Sequence, residues 1–158
     1  MKNKVSTPVI DYLLSKRVDF SLLPQNTETI SIEDTAIARG ILPHQMVKSI
    51  LLRDMSDRYA LACLPGDCSV DPKKIRELLS WRRMTCVQLD QLERVTGYPV
   101  GAVTPILLKQ TKPIIFEQSL TALATVTISS GHRLAGIALT PQDLISVCEP
   151  IIGHICRE

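Results

Sequence analysis

Three stretches of the chain hold residues whose types and spacing can do chemistry. Lys48 stands at the mouth of the apolar run VKSILL. An ammonium there must snorkel to water, find a partner or meet a ligand. As a ligand group it would be a fixed cation for a carbonyl, a carboxylate or a phosphate, and composition does not choose between that and a solvated lysine. The second stretch is TGYPVGAVTPI, Thr96 to Ile106, with two glycines, two prolines and two threonines but no acid, base or cysteine. Gly101, lacking a Cβ, lets a ligand come within hydrogen-bonding distance of the backbone, while Pro99 and Pro105 limit the disorder of such a loop. A tight connection between a helix and a strand explains the same residues, so both readings stand. The third is Ser129-Ser130-Gly131-His132, a hydroxyl close to an imidazole. A nucleophile and its base are assembled in space, so adjacency in sequence is no evidence for the pair. The GxSxG elbow is absent, and a turn between two strands with Gly131 at positive φ accounts for SSGHR.

Five cysteines, at 63, 68, 86, 148 and 156, include no CxxC pair. Cys63-x4-Cys68 would be half a metal site, but no second pair follows at usable spacing, so neither a metal nor any other cofactor is expected. The odd number of cysteines fits thiols that stay reduced, and the expected location is cytoplasmic. The basic clusters Lys2/Lys4, Lys16-Arg17, Lys73-Lys74-Arg76 and Arg82-Arg83 fit solvated helix faces, or phosphate contacts to a nucleic acid held by its backbone.

The elements that must position these residues follow from local signals. Thr7-Pro8 is an N-cap followed by proline at the first helical position, opening a helix to about Arg17. A strand is expected over 18–24. Ser31 with Asp34 makes a capping box for a helix stopping at Gly40. PHQ begins a short helical turn before an apolar strand over 48–53; DMSD turns, and 58–65 returns as a second strand. Asp71-Pro72 caps a further helix, and a strand is expected over 84–89. Asp90 with Glu93 opens a short helix closing at Gly97. Strands are expected over 112–117, 125–130 and 134–140, then a helix from Thr140-Pro141 to about Cys148 and a final strand in PIIGHI. Strands that follow one another directly, mixed with helices, indicate an α+β fold: one domain over 1–158 with a mixed, mostly antiparallel curved sheet packed by helices.

Composition narrows the function. The 158 residues are 45% hydrophobic and 22% charged, with a formal net charge of +2. That is a folded chain with a sizeable core, not a strongly basic nucleic-acid binder. Aromatic residues make up only 4%, too few for extended single-strand binding by base stacking. Apolar runs fall short of a membrane span, so no membrane partner is expected.

Taken in order, VKSILLRD, YALACLPGD, VDPKKIRELL, QLERVTGYPVGAVTP and SSGHRLAGIALTPQDL resemble the YbaK/prolyl-tRNA-synthetase-associated domain family, the aminoacyl-tRNA editing deacylases. The resemblance runs from Thr7-Pro8 to the last helix. It implies hydrolysis of the ester of mischarged small aminoacyl-tRNAs in trans. The family lysine falls on Lys48 and the GxxxP motif on Gly101 to Pro105, which includes Thr104. Lys48 would polarise or orient the ester, and the Gly101 backbone would position the tRNA 3′ end. Ser129 matches the serine of the family's strand-to-strand turn, and Gly131 and Arg133 also fit; with Thr104 and Pro105 these are the expected substrate-binding residues. Partners implied are the mischarged tRNA 3′ end and an aminoacyl-tRNA synthetase. The chain departs from the family in LLPQNTET, where a histidine or tyrosine is common, and at Gly136 and Ala138, where an acid occurs. Cysteinyl-, alanyl- and other small aminoacyl-tRNAs therefore all stay open as substrates. A catalytically inactive tRNA- or synthetase-binding module of the same fold is the alternative. If the site reading holds, Lys48, Gly101 and Ser129 converge on one cleft.

Overall fold

The computed structural model describes residues 6–109 and 113–158. Its helices start where side chains can take the orphan N–H groups of the first turn. Thr7, Ser31, Asp71 and Thr140 each accept a backbone N–H with the side chain, opening α1 (Pro8–Ser15), α2 (Ile32–Arg39), α3 (Pro72–Leu79) and α5 (Pro141–Cys148). The cap expected at Asp90 is not used. The cap of helix α4 (Leu89–Thr96) lies two residues earlier, at Gln88, which makes no side-chain cap bond. Gly40 and Gly97 end α2 and α4 in the left-handed region, as expected.

Among the described residues the strands are β1 (Ser21–Pro24), β2 (Val47–Asp54), β3 (Tyr59–Pro65), β4 (Met84–Cys86), β5 (Ile114–Glu117), β6 (Val126–His132), β7 (Ala135–Leu139) and β8 (Ile151–Gly153). The fold is α+β with mixed pairing, as expected, but the strands divide into two sheets instead of one. A three-stranded antiparallel sheet runs β1-β7-β6, and a five-stranded sheet runs β4-β2-β3-β5-β8. In the latter, β5 lies parallel to both β3 and β8. An isolated parallel bridge, Met46 to Thr127, joins the sheets.

Several boundaries differ from the expected ones for identifiable reasons. The strand expected from Val18 begins only at Ser21, because Arg17 takes φ 57 and Val18 N–H turns back to the Leu13 carbonyl to close α1. The strand expected over 84–89 ends at Cys86, just ahead of α4. Of the strand expected over 112–117, Lys112 lies outside the described residues.

Period-2 alternation explains how the larger sheet covers itself. Leu51, Leu61, Cys63 and Phe116 face a core shared with the three-stranded sheet, α1 and α4. Leu52, Ala60, Ala62, Leu64 and Ile115 face the opposite way, under Ile75 of α3. β3 has neighbours on both sides and is buried along nearly its whole length. Among the described residues, no helix is long and apolar enough to cross a membrane.

Candidate functional site

The loop after α4 is held to one shape by its own atoms. Ala102 N–H closes a four-residue turn on the Pro99 carbonyl. Gly101, third in that turn, has φ +88, the sign a type II turn demands at this position and the reason a glycine suits it. Thr96 Oγ1 donates to the Leu92 carbonyl and accepts from Tyr98 N–H. Tyr98 Oη donates to the Ile106 carbonyl, pulling the loop's end against its start. Burial pushes the Tyr98 phenol up to about 12, so it stays a donor at neutral pH. A Cβ on Gly101 would lie 3.7 Å from Arg133 Nε. That is ordinary contact, so the demand for glycine comes from backbone angle and not from crowding.

The β6–β7 hairpin supplies the opposite wall. Ser129 pairs with Gly136 and His132 with Ala135, with a register shift between. The turn itself is therefore Arg133-Leu134, and Ser129 to His132 are the end of a bulged strand instead of part of the expected turn. Gly131, at φ +88, sits in the bulge, where a Cβ would meet the Tyr98 ring at 3.1 Å. The serine and histidine that invited a nucleophile–base reading serve the hairpin. Buried Ser130 Oγ donates to the Ala135 carbonyl at 2.7 Å, and His132 Nδ1 accepts from Leu134 N–H at 3.0 Å.

Between these walls and α2 lies a cleft of about 430 Å³, lined among others by Lys48, Gly101, Ser129 and Arg133. The Met46–Thr127 bridge brings them together, because it joins the start of β2 to β6, and both bridge residues also line the cleft. Lys48 Nζ donates weakly to the Gly66 carbonyl at 3.4 Å. Among the described residues it has no carboxylate within ion-pair range. Ser129 Oγ accepts from Gly131 N–H at 3.2 Å, leaving its proton free for another acceptor. Arg133 straps the cleft's edge, its Nε donating to the Val100 carbonyl at 2.9 Å and its guanidinium 3.6 Å from Glu28.

The other expected site residues lie behind the cleft. Thr104 and Pro105 are buried beneath the loop and are not in the lining. Thr104 Oγ1 is buried without a hydrogen-bond partner, and the Pro105 carbonyl faces Cys148 Sγ. Gly131 packs on Tyr98.

Two groups of lining residues escaped the sequence reading. Ile30, Leu89 and Val100 are strongly exposed apolar side chains at the cleft. Arg39, from the last turn of α2, also lines it. Its Nε donates to Gln25 Oε1 at 2.7 Å, and burial pulls its pKa below the usual arginine value.

The thiols do not gather in one site, although Cys68 and Cys156 lie beside one another. Cys63 and Cys148 belong to the larger core, whereas Cys68 and Cys156 pack against the smaller one. All five are free. Burial raises the Cys63 thiol and holds Cys148 and Cys156 at about 12, so they are protonated and poor ligands. Among the described residues, no group of three metal-ligating side chains occurs.

The family model described as the aminoacyl-tRNA editing domain matches residues 26–147, which hold the whole cleft lining. The chain belongs to this family. Several proteins are similar in sequence to this member of the editing-domain family. An uncharacterised Bacillus subtilis protein, YwhH, is 29% identical over 118 residues, covering 75% of this chain and 74% of that protein. The Enterococcus faecalis protein EbsC, named as a candidate Cys-tRNA(Pro)/Cys-tRNA(Cys) deacylase, is 25% identical over 118 residues, covering 75% and 72%. A proline–tRNA ligase of Pelobacter propionicus is 24% identical over 103 residues, which span 65% of this chain but 18% of the ligase. The fold is shared with the crystal structure of the hypothetical protein APE2540, at TM-score 0.87 and 19% identity, covering 94% of this chain and 99% of that one. It is also shared with a structure described as a candidate trans-editing enzyme for prolyl tRNA synthetase. There the TM-score is 0.80 and the identity 20%, covering 98% and 100%.

Proposed function

We propose that the protein is an aminoacyl-tRNA deacylase that acts in trans on mischarged tRNA. The observation that carries this reading is the placement of Lys48, Gly101, Ser129 and Arg133 around one cleft in a member of the editing family. A cleft of about 430 Å³ is of ligand size and suits an aminoacylated terminal nucleoside, with the rest of the tRNA outside. The exposed Ile30, Leu89 and Val100 at its edge offer apolar cover for a nucleobase.

The chemistry asks little of side-chain bases. In the reaction a water oxygen adds to the ester carbonyl carbon. The bond from that carbon to the ribose oxygen then breaks, and the ribose oxygen takes a proton, leaving a free amino acid and an uncharged 3′ end. An aminoacyl ester is already activated, so placement and stabilisation of the oxyanion are the main requirements. Lys48, with only a weak carbonyl contact of its own, would turn its ammonium to the ester oxygen. The Pro99–Ala102 turn would present backbone groups at Gly101 to the 3′ end, and Ser129 Oγ would donate to it. Thr104, Pro105 and Gly131 would shape that turn from behind without touching substrate. The lining contains one carboxylate, Glu28, which Arg133 already engages, so a general-base aspartate or glutamate is not invoked.

A panel of mischarged tRNAs, incubated with the protein and with Lys48→Ala, tests this. Losing one oxyanion donor should cost roughly 100-fold in rate. If every ester hydrolyses as slowly as in buffer, the enzyme reading fails and a binding module remains. If Lys48→Ala retains full activity, the protein edits without the lysine.

A further inference from the structure

Arg39 is the part of the cleft that hydrolysis does not explain. Its guanidinium lies against β7 at Gly136, where an added Cβ would fall 2.5 Å from Nη1, 3.0 Å from Cζ and 3.2 Å from Cδ. Only a residue without a side chain leaves that seat open. Gly136 pairs in register with Ser129, so the cation stands over the strand next to an expected substrate contact. One edge of the fork is fixed by the bond from Nε to Gln25 Oε1. Gln25 is itself buried, and its amide donates to the Thr27 carbonyl and to Thr29 Oγ1. Thr29 in turn meets Thr35 Oγ1, which donates to the Ser31 carbonyl at the head of α2. The arginine is thus held by a chain of neutral groups.

Arg39 is half-buried, and neutral partners offset only part of the cost of drawing its guanidinium out of water, so an anionic partner would stabilise it. Among the described residues, no carboxylate lies within ion-pair range of Arg39. The cleft lining as a whole carries Arg39, Lys48 and Arg133 against Glu28 alone, and Glu28 is already beside Arg133. A planar fork with its Nη edge unspent and its Nε edge anchored is the geometry that takes two oxygens of an oxyanion.

We infer that Arg39 is a specificity residue that binds an anionic oxygen group of the ligand in this cleft. On the deacylase reading, on which this rests, that group is either the side-chain carboxylate of an acidic aminoacyl ester or a phosphate of the tRNA 3′ end. Both are oxyanions and would dock on the same fork.

Two matched pairs of non-hydrolysable probes separate the sources. AMP against adenosine reports a phosphate, and 3′-aspartylamino-3′-deoxyadenosine against its alanyl counterpart reports a carboxylate. Calorimetric titration should show one pair in which the anionic member binds the wild-type protein about tenfold more tightly, the range of one charge-assisted contact. That advantage should vanish in Arg39→Gln and return in part in Arg39→Lys. Gly136→Ala, which pushes the guanidinium off its seat without removing it, should weaken the same member of the same pair. An anion preference absent from both pairs, or unchanged in Arg39→Gln and Gly136→Ala, overturns the inference. Deacylation is read separately. A loss in Arg39→Gln across all esters marks the phosphate, and a loss confined to aspartyl and glutamyl esters marks the carboxylate. Arg39-dependent binding without any deacylation keeps the anion site and removes the deacylase reading.

Discussion

At Gly101 the demand for glycine is conformational. With φ +88 and nothing closer to a Cβ than 3.7 Å, a side chain has space but no comfortable backbone. Non-glycine residues there cost about 1–2 kcal/mol, more for a β-branched one. Activity should therefore fall in the order Gly, Asn, Ala, Val at position 101, while far-UV circular dichroism stays unchanged. Equal deacylation rates for Gly101→Val and wild type would return the stretch to a plain connector. Lys48, Gly101, Ser129 and Arg133 were visible in the sequence because each belongs to a short local pattern. Arg39 was not, because its setting is built from Gly136, almost a hundred residues away, and from a buried glutamine in an unpatterned loop. Glu28 escaped for the same reason, since its contact with Arg133 joins distant loops.

Element starts were far more legible than element ends. Thr7, Ser31, Asp71 and Thr140 announce their helices through side-chain caps that act within three residues. Gly40 and Gly97 announce two ends in the same local way. The other three helices close through Arg17, Ser80 and Glu149 in the left-handed region, residue types that carry no stop signal. Sheet partition and the bulge before Arg133 depend on register between strands far apart in sequence, which no local pattern encodes. Within the loop after α4 one long-range tie can be tested. Tyr98→Phe keeps the ring against Gly131 but leaves the Ile106 carbonyl without its phenol donor. A lost hydrogen bond of this kind costs about 1 kcal/mol, which for a chain of this size lowers Tm by roughly 3 °C. The loosened turn should raise KM for the mischarged tRNA more than it lowers kcat. A variant with wild-type Tm and KM would show that the tie does not shape the turn.

Across the whole molecule, two buried carboxylates hold distant parts of the chain and should set its acid limit. Burial alone would raise Glu117, but N–H groups of Ser119 and Ile155 donate to it and hold its pKa below the ordinary value. It thereby ties the end of β5 to the C-terminal segment. Burial opposes ionisation at Asp54 as well, yet hydrogen bonds from Arg58 and Ser56 bring its pKa down and close the β2–β3 turn. A carboxyl whose folded pKa is depressed contributes stability that is fully present above its unfolded value, about 3.9 for Asp and 4.3 for Glu. That contribution is lost as pH falls through the folded pKa, because protonation then removes the acceptor. The urea midpoint should thus be flat from pH 7 to about 5 and decline steeply below about 4. Glu117→Gln should start lower at neutral pH, since its amide nitrogen cannot accept from the backbone, and should lose less on acidification. Equal slopes for the two proteins between pH 5 and 2.5 would mean that protonation of Glu117 does not drive the loss. A wild-type midpoint unchanged down to pH 3 would remove both carboxylates from the account.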